Sequence, residues 1–351
     1  MYQLNEKIRD LKPYDPVEAR YRVHLDANES FLEVPQEIRR EFSEAVQEAA
    51  FNRYPDPSAK ALCEAFAGYY GVPPENVVAG NGSDELISVI FSGFLQKGEA
   101  FATIEPDFSM YAFNGQINEG RAVRIEKRED YSIDIDKVIE TCNNENVRLL
   151  IFSNPCNPTS VPLEKAAVRR LLNGVRALVV LDEAYMDFCG ESLLAEFDGF
   201  ENLMILRTCS KAFGMAALRL GFAVARKELA DALRAVKSPY NVNVLSQRLG
   251  TILLSHKREL REATGRILES ETELRKGVEA LERSCPGRFQ LLKGSTNFVA
   301  LRMDRPETAL EFLAQKGIAV RLTGGLLRIT CGRPEENAAL LEALEEYFSA
   351  V

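Results

Sequence analysis

The sequence predicts an α/β fold: a mostly parallel sheet flanked by helices, with an arm before it and a smaller α+β domain after it. Three observations carry this. Between about residues 58 and 236, short apolar runs rich in β-branched residues alternate with helical patterns, as in parallel βαβ units. After KSPYNVN (237–243) the pattern changes to a long amphipathic stretch rich in Arg, Glu and Leu, followed by short strands and helices. The first forty or so residues lack periodicity and are punctuated by Pro13, Pro16 and Pro35. We therefore divide the chain into an arm at 1–45, a large domain at 46–236 and a small domain at 237–351.

The strands are expected at AFATI (100–104), AVRIE (122–126), RLLIF (148–152), ALVVL (177–181), NLMIL (202–206) and GFAVA (221–225). Each is a short apolar run between turn signals. Of the intervening helices, ELISVIFSGF repeats Leu86, Ile87, Ile90, Phe91 and Phe94 at helical spacing, and LEKAAVRRLLNGV (163–175) follows the same rule. The amphipathic stretch reaches about residue 283. Beyond it come a strand pattern in FQLLKGSTNFVALR, a helix in PETALEFLAQKG, short strands at IAVRL and LLRIT, and a final helix in PEENAALLEALEEYF.

At 351 residues and 46% hydrophobic, the chain exceeds the common single-domain size and can fill a sizeable core. A net charge of −9 with no Lys/Arg block leaves no electrostatic footprint for nucleic acid or an anionic membrane. The opening MYQLNEKIRDLKPYDP lacks the apolar core of a signal peptide, and no run approaches bilayer length, so a cytoplasmic location is expected. Seven scattered cysteines without a CxxC pair read as reduced thiols, and no metal site is expected. With only His24 and His256 in the chain, a Ser/His/Asp hydrolase is hard to build. Chemistry must therefore run through lysine, carboxylate, tyrosine or a cofactor.

Four local motifs bear on that chemistry. Ser210-Lys211-Ala-Phe-Gly-Met-Ala-Ala-Leu-Arg219 follows the strand NLMIL, placing Lys211 near a strand's carboxyl end, where open α/β sheets bind ligands. There a lysine can form an imine with an aldehyde, and Arg219 can supply positive charge and hold a phosphate. Asp182-Glu-Ala-Tyr185 follows ALVVL. A carboxylate at that point can pair with a protonated pyridine nitrogen, or serve as a helix cap or Mg2+ ligand. SNPCNPTS (153–160) holds two Asn-Pro steps that stiffen the loop and present the Asn157 amide. GNGSDE (80–85) opens an amphipathic helix, so Gly82, Ser83 and Asp84 are candidates for a phosphate cradle. Together the four describe one cofactor: a cradle, an imine lysine, a pyridinium carboxylate and a phenolate ligand.

These residues resemble fold-type I pyridoxal-phosphate enzymes, and among them the histidinol-phosphate aminotransferases. LKPYDP, LDANES, NRYPDP (52–57) and LLRITCGRPEEN add to the likeness, which covers nearly the whole chain. The resemblance implies a seven-stranded large-domain sheet and pyridoxal 5′-phosphate as cofactor. Lys211 would be the Schiff-base lysine, Asp182 the partner of the ring nitrogen, and Tyr185 and Asn157 the phenolate contacts. Ser83, Asp84, Ser210 and Arg219 would hold the phosphate, assisted by Thr208, and Phe108 would stack on the ring. Tyr54 would reach the phosphate of a neighbouring subunit, implying a homodimer with shared active sites and an arm that packs on the partner as well as the small domain. Arg328 would receive the substrate's anionic end with Arg321 as companion, and Tyr14 and Asn28 would line the substrate pocket.

The implied reaction is a reversible transamination between L-histidinol phosphate and 2-oxoglutarate. An aromatic or broad-range aminotransferase and a threonine-phosphate decarboxylase share the fold and stay open as alternatives. Two departures from the family pattern stand out. Ser30, Phe31 and Leu32 follow Asn28 and Glu29 where Asn-Pro and a glycine are usual, and Ser160 stands where glycine is usual.

Overall fold

The computed structural model describes residues 2–9, 11 and 21–350. Among these, thirteen strands and thirteen α-helices follow in chain order. The first part holds α1 (Glu6–Arg9), β1 (Val23–His24), α2 (Gln36–Gln47), α3 (Lys60–Tyr70), β2 (Val77–Asn81) and α4 (Ser83–Phe94). Then come β3 (Ala100–Glu105), α5 (Met110–Ile117), β4 (Arg121–Glu126), α6 (Ile135–Asn144), β5 (Val147–Ser153), α7 (Lys165–Gly174), β6 (Leu178–Asp182) and α8 (Met186–Cys189). The sheet region closes with β7 (Leu203–Thr208), β8 (Leu220–Ala225), α9 (Lys227–Val236) and α10 (Val244–Ser255). The remainder is α11 (Lys257–Ser284), β9 (Gln290–Leu291), β10 (Phe298–Arg302), α12 (Pro306–Gln315), β11 (Ile318–Ala319), β12 (Arg321–Thr323), β13 (Leu326–Thr330) and α13 (Pro334–Ala350).

Seven strands form the large sheet in the order β2-β8-β7-β6-β5-β3-β4. The pairs from β7 through β4 are parallel, and β8 runs antiparallel between β7 and β2. Its central strands are apolar on both faces because helices cover both, as parallel sheets require. Alternation divides them: Leu149, Ile151 and Val180 face a core with Ile87, Ile90 and Phe91 of α4, while Leu150, Phe152, Val179 and Leu181 join the core on the other face. All six expected strands are present. The seventh, β2, is VVAGN, whose last three residues, Ala, Gly and Asn, are poor strand formers, so it does not stand out by pattern.

The small sheet has the order β12-β13-β10-β9, entirely antiparallel. On the arm, β1 pairs in parallel with β11, laying the chain that leads to Asp26 and Asn28 along the small domain. Packing moves one helix relative to the sequence-based division at 237. Helix α10 lies against α3 and α2, and a Cβ at Gly250 would stand 2.4 Å from Leu220 and 2.8 Å from Leu62. That close approach keeps α10 with the large sheet. Helix α11 instead packs on β9, β10 and α13, and we propose the domain boundary between α10 and α11. Among the described residues, no helix is long and apolar enough to cross a membrane.

Candidate active site

A cleft of about 340 Å3 opens where the carboxyl ends of the large sheet meet the arm and the small sheet. Strand polarity decides which residues arrive there. The loops after β3 and β5 carry Phe108 and Asn157 into it, β6 ends at Asp182, and β7 ends at Thr208. Because β8 is antiparallel, its start lies at the same edge, with Gly221 opposite Thr208 and Leu220 opposite Asn81. Lys211, Ser210 and Arg219 all belong to the β7–β8 connection and line the cleft.

One end of the cleft is cationic and tightly built. Gly82, at φ 85°, caps α4 in a conformation that favours glycine. A Cβ there would stand 2.8 Å from Arg219 Nη2, and one at Gly221 would stand 2.2 Å from the Ser83 nitrogen. Arg219 is held by Asp84, Nη2 to Oδ2, at 3.3 Å. Thr208 Oγ1 donates to Ser210 Oγ and accepts the Ser210 N–H, both at 3.1 Å. Backbone amides at a helix start, two hydroxyls and a guanidinium suit a phosphate.

Asp182 lies deeper, only 4% exposed. Tyr111 donates its hydroxyl to Oδ2 at 2.8 Å, and the Ala184 N–H reaches Oδ1 at 3.0 Å. Burial raises its pKa to about 7 despite those bonds, with the Asp107 charge adding to the rise. A buried carboxylate in that state fits a cationic partner in the cleft. Phe108 lines the wall, its ring edge-on to Tyr111 at 5.5 Å. Lys211 Nζ donates to the Ala27 carbonyl at 3.0 Å, so the arm passes directly beside it.

Two arginines mark the small-domain side. Arg321 on β12 stands opposite Arg328 on β13 in antiparallel register, so both side chains share one face and line the cleft. Arg328 donates to Asn157 Oδ1 at 2.8 Å and to the Asp26 carbonyl. Asn28 also reaches the cleft, where its amide donates to the Tyr185 hydroxyl at 2.7 Å. Tyr54 is not in this cleft: it is 81% exposed and stacks on Tyr240 at 4.6 Å. Tyr14 lies outside the described residues.

Sequence reasoning missed Asp107, Tyr111, Ser153 and Lys127. Asp107 accepts the Ser153 N–H at 3.0 Å and its hydroxyl proton, and the Ser153 oxygen accepts the Asn157 N–H at 3.0 Å. Lys127 Nζ bonds the Pro106 carbonyl and, at 3.1 Å, Cys156 Sγ. These contacts clasp the Phe108 loop to the Asn157 loop. Burial lifts the Asp107 pKa to about 6, opposed by Lys127. The only sequence signal was the spacing in PDFSMY, which sets Tyr111 one helical turn beyond Phe108. The Asn157 loop has both Asn–Pro bonds cis, and Ser160 takes φ 64°, the left-handed region that glycine enters freely. Ser160 Oγ bonds Thr296 Oγ1 at 2.7 Å, a contact glycine could not make.

Comparison with known proteins bears on this geometry. The family model for aminotransferase class I and II matches residues 22–344. The chain belongs to this family. It is 36% identical over 343 residues to a histidinol-phosphate aminotransferase of Clostridium novyi, covering 96% of this chain and 95% of that one. It is also 36% identical over 347 residues to one of Thermococcus gammatolerans, covering 98% and 97%. A crystal structure of the Sinorhizobium meliloti histidinol-phosphate aminotransferase with pyridoxal-5′-phosphate superposes with a TM-score of 0.88 at 22% identity, covering 100% of this chain and 98% of that one. The aminotransferase cofactor is pyridoxal phosphate, and the cleft's cradle and buried Asp182 fit it.

Proposed function

We propose that the chain exchanges an amine between L-histidinol phosphate and 2-oxoglutarate, giving imidazole-acetol phosphate and L-glutamate. The observation that carries this reading is the in-register pair Arg321 and Arg328 lining the same cleft as Lys211, in a chain more than a third identical to relatives that bear the activity in their names. Guanidinium forks grip both a phosphate and a carboxylate, the anionic ends of the two substrates.

When bound, pyridoxal phosphate supplies an aldehyde that takes up the amine and a ring that withdraws electrons from the bond being broken. The chain's own groups divide the rest. Gly82, Ser83, Thr208, Ser210 and Arg219 would hold the phosphate. Asp84 would contribute its backbone and steady Arg219, since its carboxylate repels the anion. Asp182 would face the ring nitrogen, whose positive charge offsets the effect of burial. Tyr185 and Asn157 would bond the phenolate oxygen, and Phe108 would cover one ring face. Lys211 would anchor the aldehyde and then carry a proton at Nζ to and from the substrate carbon, a role commonly worth about 10²–10⁴ in rate.

The reading includes a homodimer, supported by the surface aromatics Phe51, Tyr54 and Tyr240, 68%, 81% and 41% exposed. Tyr54 would serve the neighbouring subunit's phosphate. A cytoplasmic location belongs to the same proposal, supported by seven cysteines that are all unpaired. The test mixes cofactor-loaded protein separately with L-histidinol phosphate, phenylalanine, glutamate and O-phosphothreonine, following conversion of the cofactor from aldehyde to amine form and release of CO2. Conversion by histidinol phosphate and glutamate is expected. Conversion by phenylalanine but not histidinol phosphate, or CO2 from phosphothreonine, would overturn the substrate assignment.

A further inference from the structure

Asn28 and Thr330 form a closed polar unit beside Tyr185. The Thr330 hydroxyl oxygen accepts the Asn28 backbone N–H at 3.0 Å and gives its own proton to Asn28 Oδ1, also at 3.0 Å. The Asn28 carbonyl accepts from Asn297 Nδ2 at 3.1 Å. With Oδ1 taken, the amide presents its NH2 end to Tyr185 and donates to that hydroxyl oxygen at 2.7 Å. Asn28, Thr330 and Tyr185 are 1%, 3% and 5% exposed, so water does not compete for these bonds. Asn28 takes φ 53°, a region asparagine and aspartate enter more readily than other side chains.

A tyrosine hydroxyl carries one proton and can also accept. Because Asn28 occupies it as a donor, the proton of Tyr185 is left to point elsewhere, and the cleft is the open direction. We propose that Asn28, oriented by Thr330, is a positioning residue that fixes Tyr185 as a hydrogen-bond donor into the cleft, toward the phenolate oxygen of the cofactor. This rests on the reading of Tyr185 as a cofactor contact, and it assigns Asn28 to that tyrosine instead of to the substrate. A donor at the phenolate stabilises its negative charge. Without it the oxygen is more basic, and the cofactor's linkage to Lys211 holds a proton to higher pH.

The experiment records the absorbance of pyridoxal-phosphate-loaded wild type, N28D, Y185F and the double variant against pH, without substrate, with circular dichroism as a folding control. The carboxylate introduced by N28D offers Tyr185 an acceptor in place of a donor and turns its proton away from the cleft. The midpoint of the absorbance change should rise by about one pH unit in N28D and in Y185F. It should rise no further in the double variant, since both changes remove the same bond. T330V, which frees the amide to flip, should show a smaller rise that T330S does not, and this pair decides the matter if N28D does not fold. An unshifted N28D midpoint with a raised KM for histidinol phosphate overturns the inference. So does a shift that persists in full in the Y185F background, because it would then be the added charge that acts. Wild-type protein that takes up no pyridoxal phosphate removes the proposed function along with the inference, whereas an unshifted N28D removes the inference alone.

Discussion

On the large-sheet side of the cleft, each polar group sits at or just past the end of a strand, and the strand core holds it from behind. On the other side, Arg321 and Arg328 sit on paired strands of the small sheet, while Asn28 comes from the arm and is held by polar bonds to segments far away in the chain. Asp182 and Thr208 end neighbouring strands whose next or preceding residues, Glu183 and Arg207, form a buried ion pair at 3.3 Å. Arg207 also meets Asp187 at 3.2 Å and lies over the Tyr70 ring at 4.7 Å. Asn28 and Thr330, by contrast, are 302 residues apart and meet because β1 runs beside β11 and the arm then bonds β13 directly, the Leu25 carbonyl accepting the Thr330 N–H at 2.9 Å. One side, the floor, is backed by the strand core, and the other joins the arm to the small sheet through polar bonds. Such a division suits an enzyme that must hold its cofactor while exchanging two substrates in turn.

The largest effect that could break this contrast is loss of the ion pair behind the floor. Removing one partner of a buried pair strands the other's charge, so R207A should lose about 3–5 kcal/mol of unfolding free energy in denaturant titration. A loss under about 1 kcal/mol would mean the floor is not anchored there. A smaller effect concerns Asp182 in cofactor-free protein. Its folded pKa of about 7 lies above the ordinary 3.8, so its ionised form is disfavoured on folding. Stability from this group is complete below pH 3.8 and is lost as pH rises to about 7. D182N should therefore show a flatter decline than wild type across that window in melting-temperature scans, and added pyridoxal phosphate should reverse the wild-type trend. Parallel curves for the two cofactor-free proteins would contradict the burial argument.

The same contrast explains how much of the site is legible in the sequence. The floor was legible because its residues are sequence neighbours of strands: DEAY after ALVVL and SK after the NLMIL strand announce themselves locally. The direction of β8 was not, since an antiparallel strand has the same apolar run as a parallel one. Tyr111 and Asp107 were visible as residues, but their partners Asp182 and Ser153 lie 71 and 46 residues away. On the arm, Asn28 could be assigned to the pocket but not to Tyr185, because hydrogen-bond direction depends on Thr330 near the other end of the chain. The boundary at 237 marks a change of pattern, while the boundary proposed from packing comes a helix later, because Gly250 inside α10 fits closely against Leu220 and Leu62, which no periodicity reports.

The central claim is that Lys211 carries the chemistry on a cofactor held by the floor. Lys211→Ala, supplied with pyridoxal phosphate, tests it in one cuvette. The account predicts that the absorbance of the lysine-linked cofactor disappears and that turnover of histidinol phosphate with 2-oxoglutarate is abolished, while the fold persists. A variant that keeps wild-type turnover would contradict it.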